Sequence, residues 1–518
     1  AAEAVHSLNP DEFDIRFNPD CFSTSVKHVE TEDLESQRRL VVDCGEFLLT
    51  QQIPSLLSDL IDNTISPIDG EGLAEQMHSR GINIRYLGHI VKQVEPTTSG
   101  WIRSLLGCEL VARSAKHVFR VLFQSVKAGK KGGRVRASTA TEWELTSQKS
   151  LWKSICEEAK SYYGYDLEIT GMDALTEAWG VQKTSLLRRI CRSIGIQLLA
   201  KDYNVTGSTN GRPIFVEDDV QNVFPVTKHR EPMANDAKRL FTRGQQEMAN
   251  GRLKEAYEFI AESVNLMTSV YGAMHGELAQ ALRSLARLSY ILGDPSDALA
   301  QQHRAAIMAE RCYGLDHAET ITEYVNLAHM AFSNLLVPTA LRLLYRARHL
   351  LLIAAGENHP FMATIDGNIG VILFAVQEFD LATKFLQSAE KISAVCGESK
   401  RLKSALLNHM MARAHACRGD FRTALTAEKE TFTLYSTLFG AEHEKTKESN
   451  EFLRELTTQA VQFQKRMQDA TKGTTNLSHI MPINVQQPSL ASIMEVLNIV
   501  NGIIVLQIRD PSTKEEEE

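Results

Sequence analysis

Small residues recur with a fixed period in the second half of the chain. One series consists of alanines spaced by 42 residues: Ala256, Ala298, Ala340, Ala382 and Ala424. A second series lies twelve positions before each alanine: Gly244, Ala286, Ala328, Gly370 and Ala412. Two helices that cross closely need small side chains at the crossing point, because larger ones push the axes apart. The pattern therefore predicts a stack of about five helix pairs.

The turn after each predicted pair carries glycine, and in four turns a histidine follows three residues later. The glycines are 272, 314, 356, 397 and 440, and the histidines are His275, His317, His359 and His443. These features resemble tetratricopeptide repeats of the long kinesin light chain type. The histidines lie one repeat apart in separate loops, without metal-ligand spacing, so we interpret them as structural and expect no metal.

The chain after the last repeat divides into a capping helix, a linker and a terminal helix. The polar pattern of residues 448–470 predicts a helix that caps the stack. The Gly, Pro, Asn and Gln of residues 471–489 are typical of a linker. Apolar residues then follow at helical spacing: Leu490, Ile493, Met494, Leu497, Val500 and Ile504. We expect an amphipathic helix that docks on a surface the sequence does not identify. The predicted organisation is 1–235, 236–470, 471–489 and 490–518, the last ending in an acidic tail.

The first half has no repeat, and its patterns predict a mixed order of elements. Helices are predicted at 151–163, 172–179 and 184–193, with strands at YDLEI (165–169), IQLLAKDY (196–203) and PIFV (213–216). This order is that of a winged helix. The predicted fold class is mainly α, with a mixed α/β first region possessing this winged-helix order, followed by an α-solenoid of about five long tetratricopeptide repeats.

Composition is that of an ordinary globular protein, and its distribution of charge is uneven. The 518 residues are 43% hydrophobic and 23% charged, with a net charge of −8. The eight dispersed cysteines favour reduced thiols, and no apolar stretch is long enough for a membrane span. One window from 113 to 136 nevertheless holds eight basic residues and no acidic ones: Arg113, Lys116, Arg120, Lys127, Lys130, Lys131, Arg134 and Arg136. Such a window is either an RNA phosphate contact or a solvated basic loop.

Further basic and aromatic residues extend this candidate RNA surface. The third helix of the winged-helix order carries Lys183, Arg188, Arg189 and Arg192. The aromatic residues Trp143, Trp152, Tyr162, Tyr163 and Trp179 lie between the window and this helix. Aromatic residues beside basic ones suit single-stranded RNA, but at helical spacing they equally form a core, and a winged helix often binds protein.

The concave surface of the predicted solenoid is a second candidate site. Asn326 and Asn368 occupy the same register of successive first helices, and side-chain amides there can bind the backbone of an extended peptide. Tyr324, Arg283 and Arg287 are weaker candidates beside them. The alternative is that these side chains only bridge neighbouring helices.

Several runs in the first half resemble the clustered mitochondria (Clu) protein family. The clearest is H-S-R-G-I-N-I-R-Y-L-G at 78–88, supported by DIRFNPDCF at 14–22, ELVARSAKHVFR at 109–120 and IGIQLLAKDYN at 194–204. The resemblance implies a cytosolic protein that binds mRNAs for mitochondrial proteins and influences mitochondrial distribution, in association with ribosomes or the outer mitochondrial surface. It also leads us to expect a longer insertion near 130–138, and the chain reads as part of a longer protein.

Two functional hypotheses follow. The first is an RNA-binding scaffold that resembles Clu proteins, acts in the cytoplasm, in granules or near mitochondria, and has mRNA as its partner. The second is a tetratricopeptide adaptor that binds peptide segments of organelle or ribosomal partners without direct RNA contact. We expect neither enzymatic activity nor a cofactor, because the sequence lacks phosphate-loop, nucleophile-elbow and zinc-protease motifs.

Overall fold

The computed structural model describes residues 43, 45–94, 98–128, 146–199, 203, 216–224, 226, 233–398, 401–471 and 487–503. The chain divides into two compact units. Unit 1 comprises Ala1–Lys228 with Ile353–Gly356, and unit 2 comprises His229–Leu352 with Glu357–Glu518. None of the described helices combines the length and the hydropathy that a bilayer crossing requires.

Unit 1 is built mainly from helices. They are α1 (Ile53–Ile61), α2 (Gly70–Ser79), α3 (Leu87–Gln93), α4 (Gly100–Ala128), α5 (Gln148–Tyr163), α6 (Met172–Trp179) and α7 (Lys183–Ile194). The long helix α4 is the centre of this unit, since α2, α3, α5, α6 and α7 all contact it. Its buried face includes Leu106, Leu110 and Ala115. The predicted helices at 151–163, 172–179 and 184–193 thus correspond to α5, α6 and α7.

The strands of unit 1 differ from those predicted. β1 (Ile196–Leu198) pairs antiparallel with β2 (Val220–Val223), so that Ile196 lies opposite Val223. The strand predicted at 165–169 is wrong, because this segment runs beside α5 without regular structure. Its Ile169 carbonyl accepts a hydrogen bond from the Trp152 indole at 2.7 Å. The strand predicted at 213–216 falls outside the described residues except for Val216, which is not in a strand.

Unit 2 is an array of antiparallel helix pairs. The pairs are α8 (Asn235–Ala249) with α9 (Leu253–Tyr271), α10 (Gly276–Ile291) with α11 (Pro295–Tyr313), α12 (Ala318–Ser333) with α13 (Val337–Ala355), α14 (Pro360–Ala375) with α15 (Phe379–Val395), and α16 (Leu402–Cys417) with α17 (Phe421–Phe439). The first helix of each pair is called its A helix. A long helix α18 (Glu444–Thr471) follows, and α19 (Leu490–Val500) is the last described element. This tetratricopeptide-like array was predicted from the 42-residue period.

The small residues lie where the paired helices cross. All five alanines of the strict 42-residue series, and the three alanines of the second series, are fully buried. A Cβ atom on Gly370 of α14 would lie 2.6 Å from the Leu386 Cγ of α15, closer than real carbon contacts. The crossing therefore admits no larger side chain without moving one helix.

The recurring histidines are helix caps. Nδ1 of His275, His317, His359 and His443 accepts a hydrogen bond from the backbone N–H two residues later, at 3.1–3.2 Å. Each thereby satisfies one N–H at the start of the next helix, α10, α12, α14 or α18, as Ser or Asn does elsewhere. His275 and His317 also stack on the tyrosine four residues earlier, with ring centroids 3.9 Å and 4.6 Å apart.

Candidate binding surfaces

A buried cluster of acidic and basic side chains links three helices of unit 1. Arg189 of α7 donates two hydrogen bonds to the carboxylate of Glu109 on α4, at 2.7 Å and 2.8 Å. Arg189 also donates to Glu71 of α2 at 3.1 Å, and Arg113 donates to Glu109. Glu109 is only 1% exposed. We call these four residues, Glu71, Glu109, Arg113 and Arg189, the carboxylate–arginine cluster.

The charges of this cluster stabilise one another. Burial on its own opposes ionisation of Glu109, but the hydrogen bonds and charge of Arg189, together with Arg113, lower the pKa of this carboxyl below its usual range. Burial also opposes the charge on Arg189, yet its bonds to Glu109 raise its pKa. A buried arginine whose donors already bind carboxylates has little capacity left for a phosphate, so we leave Arg189 out of the proposed RNA contacts.

The turn at Asp69 and Gly70 builds one wall of the cluster. Asp69 caps α2, since its side chain accepts hydrogen bonds from the backbone N–H of Glu71 and Gly72, both at 3.1 Å. Gly70 leaves room for the carboxylate, because a Cβ there would lie 1.7 Å from Oε2 of Glu109. The residues of this turn hold the charged pair in place.

The run at 78–88, which most resembles the Clu family, has a packing role in this structure. Asn83 accepts a hydrogen bond from the backbone N–H of Arg85 at 3.0 Å, and Tyr86 is buried. A Cβ on Gly88 would lie 1.8 Å from the carbonyl oxygen of Tyr163, so α3 and the end of α5 touch at this glycine. These observations give Asn83, Tyr86 and Gly88 of the run a structural role.

Only the first part of the basic window lies within the described side chains. Arg113, Lys116 and Arg120 lie on α4 at spacings of three and four, which places them on one side of the helix. Arg113 is half-buried against Glu109, whereas Lys116 and Arg120 are exposed. The side chain of Lys127 and the residues Lys130, Lys131, Arg134 and Arg136 lie outside the described part.

The basic residues of α7 and the aromatic candidates are largely engaged in contacts within unit 1. Lys183 pairs with Asp173, and Arg192 pairs with Glu71 at 3.3 Å. Arg188 is partly exposed. The described aromatic candidates, Trp152, Tyr162, Tyr163 and Trp179, are all buried or half-buried, and Trp143 lies outside the described residues.

In unit 2, two of the predicted groove residues contact neighbouring helices of the array. Arg283 of α10 donates to Glu319 and Glu323 of α12, at 3.1 Å and 2.9 Å. Tyr324 is buried and donates its hydroxyl hydrogen to Glu310. Asn326 is partly exposed on the same helix. Arg283 and Tyr324 therefore bridge neighbouring helices, which is the alternative to binding a peptide.

Two other predicted groove residues contact the terminal helix α19 and the turn after it. Asn368 of α14 exchanges hydrogen bonds with the side-chain amide of Asn501, at 2.8 Å and 3.2 Å. Arg287 of α10 donates to the carbonyl oxygens of Gly502 and Ile503, at 2.6 Å and 3.0 Å. We call the surface of the A helices that holds this segment the A-helix groove. The terminal helix was predicted, and the structure identifies its docking surface.

Further contacts along the groove involve residues that the sequence reasoning missed. Tyr290 donates to Asn498 at 3.0 Å, and Lys445 of α18 pairs with Glu495 at 3.0 Å. His329 of α12 is 4% exposed, near the Asn501 amide at 3.5 Å. Burial lowers the pKa of His329 to about 4, which outweighs the opposing effect of Asn498. The signal for both residues is their position relative to Arg287. Tyr290 lies three residues after Arg287 on the same helix, and His329 lies 42 residues after Arg287, at the same position of the next repeat.

Comparison with family models gives two matches. The model described as translation initiation factor eIF3 subunit 135 matches residues 64–136 and 127–205. These two segments overlap at 127–136, beside the place where the family resemblance leads us to expect a longer insertion. A tetratricopeptide repeat model matches residues 278–319, which cover α10 and α11.

The curated relatives are clustered mitochondria protein homologues. The homologue of Caenorhabditis elegans is 49% identical over 541 residues, covering 98% of this chain and 43% of the relative. The homologue of Brugia malayi is 46% identical over 561 residues, covering 100% of this chain and 38% of the relative. The chain therefore spans about two fifths of the length of these relatives. Among solved structures, the apo form of RapI matches with a TM-score of 0.36 and 13% identity, covering 52% of this chain and 98% of that one.

Proposed function

Since the chain belongs to the clustered mitochondria family along nearly its whole length, we propose that it is the central and tetratricopeptide part of an RNA-binding scaffold. This scaffold binds mRNAs of nuclear-encoded mitochondrial proteins in the cytoplasm and affects the distribution and biogenesis of mitochondria. It acts without catalysis and without a cofactor. The observation that carries the proposal is the homology of 46–49% identity.

Two further observations support an RNA partner. The family model that matches the first half is named for a translation initiation factor subunit, which favours association with ribosomes. On α4, Lys116 and Arg120 present positive charge to the solvent, and the remaining residues of the basic window follow them in the sequence. Clustered positive charge of this kind gains affinity for a phosphate backbone through counterion release.

The first test is photocrosslinking of the full chain to RNA, followed by mapping of the crosslinked peptides. We expect crosslinks in the basic window from Arg113 to Arg136, together with affinity that falls as salt is raised. A well-folded full chain without salt-sensitive RNA binding would refute the proposal. Crosslinks confined to unit 2 would instead remove the window from the site.

Two matched double charge reversals test whether RNA affinity depends on the basic window or only on the net charge of the chain. Lys116→Glu with Arg120→Glu should lower the slope of log affinity against log salt by about 1.4, if each residue contacts one phosphate of a single strand. Lys149→Glu with Lys153→Glu makes the same change of charge on the exposed side of α5 and should leave the slope nearly unchanged. Equal effects of the two pairs would show that net charge, and not the window, governs binding.

The second candidate is a peptide-binding adaptor, favoured by the contacts of Asn368 and Arg287 with the terminal segment. Both side chains bind polar groups of a bound segment, as an adaptor groove requires. Asn326→Ala with Asn368→Ala should then abolish capture of protein partners and leave RNA crosslinking intact. Unchanged capture by this double variant would count against the groove.

A further inference from the structure

The terminal helix α19 occupies the surface on which the adaptor hypothesis places a partner. Contacts to this segment come from α10, α12, α14 and α18, so the groove holds it from several repeats. We propose that the A-helix groove is a binding site for an amphipathic helix of a partner protein, and that α19 is a built-in competitor which this helix displaces. The inference rests on the adaptor function above and is independent of RNA binding by unit 1.

The polar contacts of the groove suit more than one sequence. Among the described residues, Arg287 donates hydrogen bonds to backbone carbonyl oxygens, those of Gly502 and Ile503 in the turn after α19, and the backbone of any segment offers such carbonyls. Nε of Arg287 is buried without a hydrogen-bond partner among the described residues. A different segment could satisfy this donor, which α19 leaves unused. Arg287 therefore recognises the backbone that follows the helix without selecting a side chain, and α19 does not use all of the hydrogen-bond donors of this arginine.

The remaining contacts define the chemistry of the partner. Ile493, Val496, Leu497 and Val500 form a buried apolar stripe at helical spacing. Glu495 pairs with Lys445 in the first half of the helix, and Asn501 pairs with Asn368 at its end. The expected partner segment is a helix with the same stripe, an acidic residue facing Lys445, and Asn or Gln near its carboxyl end.

The short length of α19 favours its replacement. The helix has 11 residues, and isolated helices shorter than about 12–15 residues are marginal in water. Docking must therefore supply the free energy that orders α19. A longer partner helix that is already formed loses less conformational entropy on binding and has the advantage at equal contact area.

The test uses the full chain and a fluorescent peptide of residues 487–503 as the probe. Leu497 is 1% exposed, so Leu497→Asp should undock α19 and open the groove. Leu490→Asp is the matched control, because Leu490 lies on the same helix and is 47% exposed. By fluorescence anisotropy, the Leu497→Asp protein should bind the peptide at least tenfold more tightly than the wild type, and the Leu490→Asp protein should resemble the wild type.

Groove residues provide the second arm of the experiment. Asn368→Ala in the Leu497→Asp background should weaken peptide binding again, which locates the peptide in the groove. A Leu497→Asp protein with wild-type helix content that does not bind the peptide would overturn the proposal. Equal binding by wild type and Leu497→Asp would also overturn it, because α19 would then not compete.

A milder variant covers the case in which Leu497→Asp does not fold. Asn501→Ala removes the amide pair with Asn368 and leaves the apolar stripe intact. It should give a smaller gain in peptide affinity, of several-fold, and no gain would contradict the competition. RNA crosslinking of the same variants should be unchanged, so that failure of the groove proposal and failure of the RNA proposal are separate results.

Discussion

Replacing Gly70 by alanine tests the carboxylate–arginine cluster with a single methyl group. The new Cβ would lie 1.7 Å from Oε2 and 2.1 Å from Cδ of Glu109. The carboxylate is not free to turn away, because Arg189 holds both of its oxygens at 2.7 Å and 2.8 Å. Gly70→Ala must therefore break the buried pair or shift α2 away from α4.

The expected loss of stability comes from the charge that stays buried after the ion pair is broken. Breaking a buried ion pair leaves an uncompensated charge and costs about 3–5 kcal/mol. Alanine gains at most about 1 kcal/mol over glycine in a helix, so a clear net loss remains. Gly72→Ala, two residues along α2, is the matched control and should change stability by less than about 1 kcal/mol, because its Cβ would approach Pro67 to 3.2 Å and come no closer than 3.9 Å to the side chain of Asp69.

Tryptophan fluorescence during urea unfolding measures this effect in unit 1 alone. The four tryptophans of the chain are Trp101, Trp143, Trp152 and Trp179, all within the sequence of this unit. The midpoint should fall for Gly70→Ala and stay nearly constant for Gly72→Ala. Circular dichroism, in which the helices of unit 2 contribute strongly, should show that their unfolding transition is retained.

A double-mutant cycle decides whether Glu109 is the cause. Glu109→Ala removes the group that collides with the new methyl, so Gly70→Ala should cost nothing, or stabilise slightly, in that background. The coupling free energy between the two positions should thus be about 3–5 kcal/mol. If Gly70→Ala costs the same with Glu109 present or absent, the steric reasoning is refuted.

Three further predictions concern unit 2, each measured by circular dichroism during unfolding. His317→Ala should cost about 1 kcal/mol by removing the cap on the Glu319 N–H, and His317→Asn should restore most of it; equal losses would exclude capping. Gly370→Val should cost about 1–3 kcal/mol by pushing α15 away, and Leu386→Ala should relieve part of this cost; no relief would exclude that contact. Since the pKa of His329 in the folded chain is lowered to about 4, its contribution to stability is complete above pH 6.5 and is lost as pH falls towards 4. The wild type should therefore lose about 2 kcal/mol more than His329→Asn between pH 7 and pH 5, and parallel pH profiles would contradict this burial.

Local and periodic features were predictable from the sequence. The alanine register of unit 2 follows from a steric requirement that repeats with each helix pair, and the helix predicted at 172–179 matches α6, which ends where Gly180 adopts the left-handed conformation with φ 69°. The predicted strand at 165–169 was wrong because alternating residues do not indicate whether a partner strand is present. In the structure, Ile169 offers its carbonyl to the Trp152 side chain of α5 instead.

Contacts between distant residues were not predictable in the same way. Arg189 was chosen as an RNA candidate from its charge, but Glu109, its partner 80 residues earlier, lies inside another helix. The sequence of α19 predicts an apolar face without indicating which surface covers it. Arg287 and Asn368 were chosen for their polar groups, and the sequence gives no sign that a segment more than 130 residues later supplies their partners.

The docking of α19 also sets an order of events during synthesis of the chain. The last groove residue to be synthesised is Lys445, which precedes its partner Glu495 on α19 by 50 residues, so the complete groove leaves the ribosome before the helix that fills it. At the usual elongation rate of about 5–20 residues per second, this interval lasts roughly 3–10 s. Repeats of a solenoid can assemble from contacts with their neighbours as they emerge. Each newly made molecule therefore passes through a period in which the groove is formed and empty, and a partner helix that is present during translation binds without competition.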